Sequence, residues 1–161
     1  MGPARIWADR HRSGRDGDVP LGAVTASRVA ADFADNLRFF TRLPIRGESG
    51  APDFQRIGWA TPLVGALVGA IGAAALLAAR SVGFSHLMAA TLAVAAEVVV
   101  TGALHEDGLA DVADGFGGGR DRAAKLAILR DSRIGTYGAV ALILALLLRI
   151  EAIGAMSRIS L

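Results

Sequence analysis

The residues in this chain best suited to chemistry lie together in His105–Gly115, HEDGLADVADG. Asp107, Asp111 and Asp114 fall at i, i+4 and i+7, which in a helix places three carboxylates on one face. Glu106 adds a fourth acid beside them. Like charges this close repel and weaken an isolated helix, so the spacing predicts a positive partner among them. A hard divalent cation suits carboxylate oxygens, with Mg2+ first and Mn2+ second. Magnesium held in this way usually also meets substrate phosphate, so the motif points toward phosphoryl transfer.

The flanking residues fit that chemistry. Gly108 and Gly115, followed by Gly117, Gly118 and Gly119, would let backbone approach a bound ligand. Arg120, Arg122, Lys125, Arg130 and Arg133 follow closely. Arg130 and Arg133 are the favoured contacts to phosphate oxygens, and the other reading of this cluster is an ordinary cytoplasmic positive belt. In the run RDSRIG, Asp131 is expected to complete a metal site or orient an attacking hydroxyl. Its alternatives are an ion pair with Arg130 or Arg133, or, for Asp131 and Ser132 alike, a cap on the next helix. His105 is a candidate general base, set against a structural hydrogen-bonding role. Walker, GxSxG and dinucleotide-binding patterns are absent. The chemistry read from these residues is metal-assisted displacement at phosphorus, with arginines holding the leaving group.

The elements that must position these residues are apolar. The 161 residues are 53% hydrophobic, with mean hydropathy +0.45, and Ala, Leu, Val and Gly dominate. That mix suits closely packed membrane helices in contact with membrane lipid. Cysteine is absent, which excludes disulfides, thiolate metal sites and a cysteine nucleophile. A formal charge of +2 with no basic face gives no reason to expect a nucleic-acid partner.

Residues 1–26 are polar and rich in Arg, Gly and Asp, with no apolar core of a signal peptide, and are expected to be a disordered extension. The membrane domain is then 27–161. Residues 27–43 read as an amphipathic helix with Phe33, Leu37 and Phe40 on one face, ending before Pro44. Residues 44–58 read as a loop. Thr61–Ala79 is free of charge and close to the roughly 20 residues that cross a bilayer. Gly65 and Gly69 form a GxxxG that predicts close helix approach. Leu87–Leu104 is a second span interrupted only by Glu97, which is either a functional group in the bundle interior or an acid satisfied by a neighbour. Ala139–Leu148, extended back to Ile134, is a third and barely sufficient span, bounded by Arg149 and Glu151. The expected fold is an all-α polytopic membrane bundle of about three membrane helices plus an N-terminal amphipathic helix.

Positive charge orients it. The first 56 residues hold nine Arg, and the turn between the first two apolar runs holds only Arg80, with His86 nearby. The N-terminus and the aspartate segment are therefore expected on the cytoplasmic face.

Together the pieces FFTRLPI (Phe39–Ile45), TGALHEDGLADVADGFGGG (Thr101–Gly119) and LRDSRIGTYG (Leu129–Gly138), with the glycine-rich run after Pro62, resemble the cobalamin synthase family, also called adenosylcobinamide-GDP ribazoletransferase. The resemblance runs from about Phe33 to about Leu148, and its aspartate block followed by RDSRIG is highly specific. It implies a magnesium-requiring enzyme of the bacterial inner membrane. That enzyme joins adenosylcobinamide-GDP to α-ribazole, or its 5′-phosphate, and releases GMP. It does not require an acid at Glu106. Family members are longer, which makes a C-terminally truncated chain the expectation, and an inactive membrane fragment is one alternative. The rival enzyme class, CDP-alcohol phosphotransferases, uses a DGxxAR motif, and Asp111 and Val112 stand where that motif has Ala and Arg. Self-association as a homo-oligomer is left open.

Overall fold

The computed structural model describes residues 26–47 and 52–160, and all regular structure among them is helical. The expected extension over 1–26 lies, apart from Ala26, outside the described residues. Helix α1 spans Ala26–Phe40, α2 Phe54–Ile57, α3 Thr61–Ser81, α4 His86–Thr101, α5 Leu104–Gly118, α6 Arg122–Ile128 and α7 Thr136–Ser160.

Helix α1 stops at Phe40 rather than Leu43; the face with Phe33, Leu37 and Phe40 is buried or half-buried, and two polar residues are buried with it. Asp32, Asn36 and Leu37 are its buried residues. The polar pair is held by its neighbours, although Asn36 Oδ1 is buried without a hydrogen-bond partner. The Asn36 side-chain amide donates to the Ile57 carbonyl (3.0 Å) and to Thr61 Oγ1 (3.1 Å). Asp32 pairs with Arg56 (3.2 Å) and accepts from the Trp59 indole (3.4 Å). Leaving such a buried group unpaired costs about 1–3 kcal/mol, so these bonds fix where α1 docks. Their partners lie in a segment expected to be loop. Within it, Asp53 caps α2 by accepting from the Gln55 and Arg56 amides, and a 3-10 turn at Gly58–Ala60 leads into α3.

The first apolar run forms α3 as expected. Continuous with α2, it gives 28 helical residues, long and apolar enough to cross a membrane. Alanines 89, 90 and 93 with Val94 bury the facing side of α4, which packs on α3. The GxxxG does not make this contact. A β-carbon at Gly65 or Gly69 would meet nothing within 4 Å, and both residues line an open cavity. Gly72 is the glycine that permits close approach, because a β-carbon there would overlap the Glu97 side chain.

The second apolar run is shorter than expected. With 16 residues, α4 extends only about 24 Å, short of a bilayer core of about 30 Å. It ends where Gly102 turns left-handed (φ 64°), with Gly102 N–H donating to Val99 O (3.2 Å) and Ala103 N–H to Val98 O (2.9 Å). This is the two-bond glycine stop of a helix C-terminus. Ala103 is left-handed too (φ 59°), and α5 leaves at 88° to α4. No side chain caps α5, but Glu106 and Asp107 in its first turn complement the helix dipole.

The third run does not end at Arg149. Helix α7 continues to Ser160, and Thr136–Ile159 is long and apolar enough to cross a membrane. Only 6% of its most apolar window is buried, as expected of a lipid-facing helix. It runs antiparallel to α4, with His86 Nδ1 2.8 Å from Ser157 Oγ. Two helices thus suffice to span, or three if the bent α4–α5 pair counts as one, and the chain is a membrane protein.

The bend makes a sharp expectation. Gly102→Val should destabilise the chain, because a β-carbon at φ 64° is strained and would overlap the Arg42 side chain. Ala103→Gly should be stabilising by about 1 kcal/mol. Thermal unfolding in detergent checks both, and equal midpoints for the two variants would contradict this view of the bend.

Candidate active site

Helix α5 carries all three aspartates, but their side chains have different surroundings. Asp107 and Asp111 line a cavity of about 400 Å³ whose opposite wall is Arg130, Asp131, Ser132 and Arg133. That wall is the turn between α6 and α7. It is reached because α6, capped by Asp121 accepting from Ala124 N–H (2.8 Å), folds back on α5. Gly115 permits the return, since a β-carbon there would sit 3.2 Å from Leu129 Cγ.

Asp114 is 8% exposed and does not line that cavity. Its Oδ2 accepts from Gly135 N–H (2.6 Å) and its Oδ1 from Gly138 N–H (2.8 Å). It therefore caps α7 from a different helix, supplying an anion where the dipole is positive. A β-carbon at Gly135 or Gly138 would overlap this carboxylate, which accounts for both glycines of RIGTYG. Asp114 also borders an adjoining cavity of about 470 Å³, and Asp131 and Arg133 line both.

Within the turn, Arg133 grips Asp131 bidentately (2.7 and 3.0 Å), and its amide adds a third bond (3.1 Å). The ion-pair alternative for Asp131 is therefore present. The side-chain hydrogen bonds from Arg133, then its backbone N–H, lower the Asp131 carboxyl to about 2. The same pairing raises Arg133.

His105 faces elsewhere. It lines a cavity of about 260 Å³ with Phe40, Gly65, Glu97, Thr101 and Arg149, not the one holding Asp107 and Asp111. Gly108 is open, with no atom within 4 Å of a β-carbon built there. Arg120, Arg122 and Lys125 are not among the lining residues of the aspartate cavity, and Lys125 lies over the Phe116 ring at 4.4 Å. Glu97 takes the satisfied alternative, paired with Arg149. Glu106, not counted among the ligands, lines the aspartate cavity and also meets Arg149 (3.4 Å).

Among the described residues no three acidic or histidine side chains converge tightly enough to hold a metal by themselves. Two carboxylates facing an arginine-bearing wall still fit magnesium, which commonly keeps several waters and takes one or two carboxylates plus phosphate.

This arrangement can be set against known proteins. Residues 32–160 match the model of the cobalamin-5-phosphate synthase family, most of the chain and all of the site. The chain belongs to that family. It is 53% identical to an adenosylcobinamide-GDP ribazoletransferase of Xanthobacter autotrophicus over 135 residues, covering 80% of this chain and 51% of that protein. It is 53% identical to one of Azorhizobium caulinodans over 129 residues, covering 77% and 49%. A third, from Mesorhizobium japonicum, is 49% identical over 138 residues, covering 81% and 51%. The chain spans about half the length of these relatives. No solved structure matches it.

Two outcomes follow. Asp114→Ala should speed hydrogen exchange at the Gly135 and Gly138 amides by at least about tenfold, consistent with a cap worth about 1–2 kcal/mol. Unchanged exchange would contradict the cap. The Asp131–Arg133 contact, with a depressed carboxyl, stabilises fully above the ordinary value of 3.8 and fades as pH falls through about 2. Arg133→Gln should move the Asp131 midpoint up toward 3.8, as read by carboxyl carbon NMR, and an unmoved midpoint would contradict the pairing.

Proposed function

We propose that this membrane chain carries the site of a transferase that joins adenosylcobinamide-GDP to α-ribazole, or its 5′-phosphate, and releases GMP. The observation that carries the reading is one cavity bringing Asp107 and Asp111 against Arg130, Asp131, Ser132 and Arg133. It places carboxylates for a divalent cation opposite donors for phosphate oxygens.

The bond changes follow from the products. GMP leaves with one phosphorus of the pyrophosphate, so the acceptor hydroxyl attacks the phosphorus bearing the cobinamide, the bridging P–O bond breaks, and the hydroxyl proton passes to the departing phosphate or to water. Asp107 and Asp111 would hold Mg2+, with Mn2+ as a substitute. Asp114, one turn further along α5, keeps the wall in register through α7. A cation there would neutralise the pyrophosphate and act as a Lewis acid at phosphorus. Arg130 and Arg133 would hold the phosphate oxygens of the leaving GMP, and Ser132 would donate a further hydrogen bond. With its carboxyl near 2 in the grip of Arg133, Asp131 is a weak proton acceptor. Its role is to orient the acceptor hydroxyl. His105, across α5 in another cavity, is assigned no step.

We place the chain in a bacterial inner membrane, multi-pass, with the aspartate cavity at the cytoplasmic face. The support is the arginine-rich segments on that side against a single Arg80 in the α3–α4 turn.

Membranes carrying the chain should release GMP only when Mg2+ and both substrates are present, and Asp111→Asn should lower the rate by about 100-fold or more. Release of CMP from a CDP-alcohol in place of GMP, or an Asp111→Asn variant with near-parental rate and unchanged magnesium demand, would contradict the reading.

A further inference from the structure

Three helices meet at one guanidinium beside the bend. Arg149 of α7 is ion-paired with Glu97 of α4, and its Nη1 lies 3.4 Å from Glu106 Oε1 of α5. The two acids stand on opposite sides of the 88° bend, and their side chains are only 12% and 15% exposed. Gly72 of α3 leaves the space that Glu97 occupies. Glu106 Oε2 is buried without a hydrogen-bond partner, so among the described residues Arg149 alone neutralises that side chain. The cluster also separates two cavities, because Arg149 lines the one holding His105 and Glu106 lines the one holding Asp107 and Asp111.

Helix α7 packs along both α4 and α5, and the guanidinium is the charged contact that joins the two sides of the bend. The link is two left-handed residues, Gly102 and Ala103, with no side-chain cap on α5. Asp114 ties the far end of α5 to the start of α7. At the near end of α5, Asp107 lies immediately after Glu106, so the clamp acts one residue from the cavity. A guanidinium shared by carboxylates on both sides of the bend locks the two helices at one angle. Losing it would leave two largely buried carboxylates without their cation, which is strongly destabilising.

We infer that Arg149 is a positioning residue for the transfer reaction: by clamping Glu97 and Glu106 together it fixes the α4–α5 angle and holds Asp107 and Asp111 against the Arg130–Arg133 wall. This rests on the reading of that cavity as the reaction site, and the experiment separates the two claims. The chain has no cysteine, so spin labels can be attached cleanly at Val82→Cys, in the exposed α3–α4 turn, and Val112→Cys, on the exposed side of α5. The distance between them reports the bend in membranes without any turnover. In the labelled parent a single narrow distance is expected, and Arg149→Lys should keep it. Arg149→Leu should shift and broaden it. If Arg149→Leu does not accumulate, the triple variant Glu97→Leu, Glu106→Leu, Arg149→Leu removes the clamp without stranding a charge, and it should show the same broadening. In GMP release, the triple variant should lower kcat by about 10- to 100-fold, with KM for adenosylcobinamide-GDP changed far less. A narrow parental distance in the triple variant would overturn the inference, even with GMP release intact. Broadened distances without GMP release from the parent would uphold the clamp and count against the proposed reaction.

Discussion

One carboxylate organises the site end of this molecule. Both oxygens of Asp114 accept from the amides of Gly135, just before α7, and Gly138, in its first turn. Those bonds join α5, which carries the other two aspartates, to the helix that follows the RDSRIG turn. They therefore decide where that turn lies. With α7 pinned at its start, Arg130–Arg133 can only close over the α5 face bearing Asp107 and Asp111. The tie is possible because positions 135 and 138 lack β-carbons, and it is favourable because an anion stands at a helix N-terminus. Three aspartates at regular spacing thus divide their work. Two face the cavity, and the third holds its walls together.

The membrane imposes the complementary constraint. Charges inside the apolar layer must be neutralised by one another. Glu97, Glu106 and Arg149 pair at the bend, and Asp32, Asp35, Arg38 and Arg56 pair where α1 lies on the start of α3. Both clusters sit at junctions between helices whose apolar faces are otherwise turned outward. Apolar surface gives little direction to packing where the solvent is itself hydrocarbon. The charged and hydrogen-bonded contacts therefore carry the specificity of the fold.

Which parts of this were readable from the sequence follows from the range of the forces. Helix α3 was legible because an uncharged run of that length has few other uses, and the helical spacing of the aspartates is realised in α5. Family membership was legible in the aspartate block and RDSRIG. The length of α7 was not, since Arg149 looks like a boundary until its partners, 43 and 52 residues away, are known. The burial of Asp32 and Asn36 on α1 was not legible for the same reason: their partners lie in a segment that reads as loop. Glycines misled in both directions. Gly65 and Gly69 have the form of a packing motif yet border a cavity, whereas Gly102, which ends α4, and Gly135 and Gly138, which admit Asp114, were overlooked. A carboxylate pattern shows which face the acids share but not where each oxygen points, so the separate task of Asp114 and the seclusion of His105 emerged only with the fold.

The central claim is that Asp107 and Asp111, facing the Arg130–Arg133 wall, form one site for a divalent cation and a pyrophosphate. Electron paramagnetic resonance of Mn2+ bound to the membrane-inserted chain, titrated with and without GDP, tests it without requiring turnover. The account predicts Mn2+ binding that GDP tightens, that is lost in Asp107→Asn and Asp111→Asn, and that is retained in His105→Ala. Binding that survives both aspartate substitutions, or that disappears with His105, would contradict it.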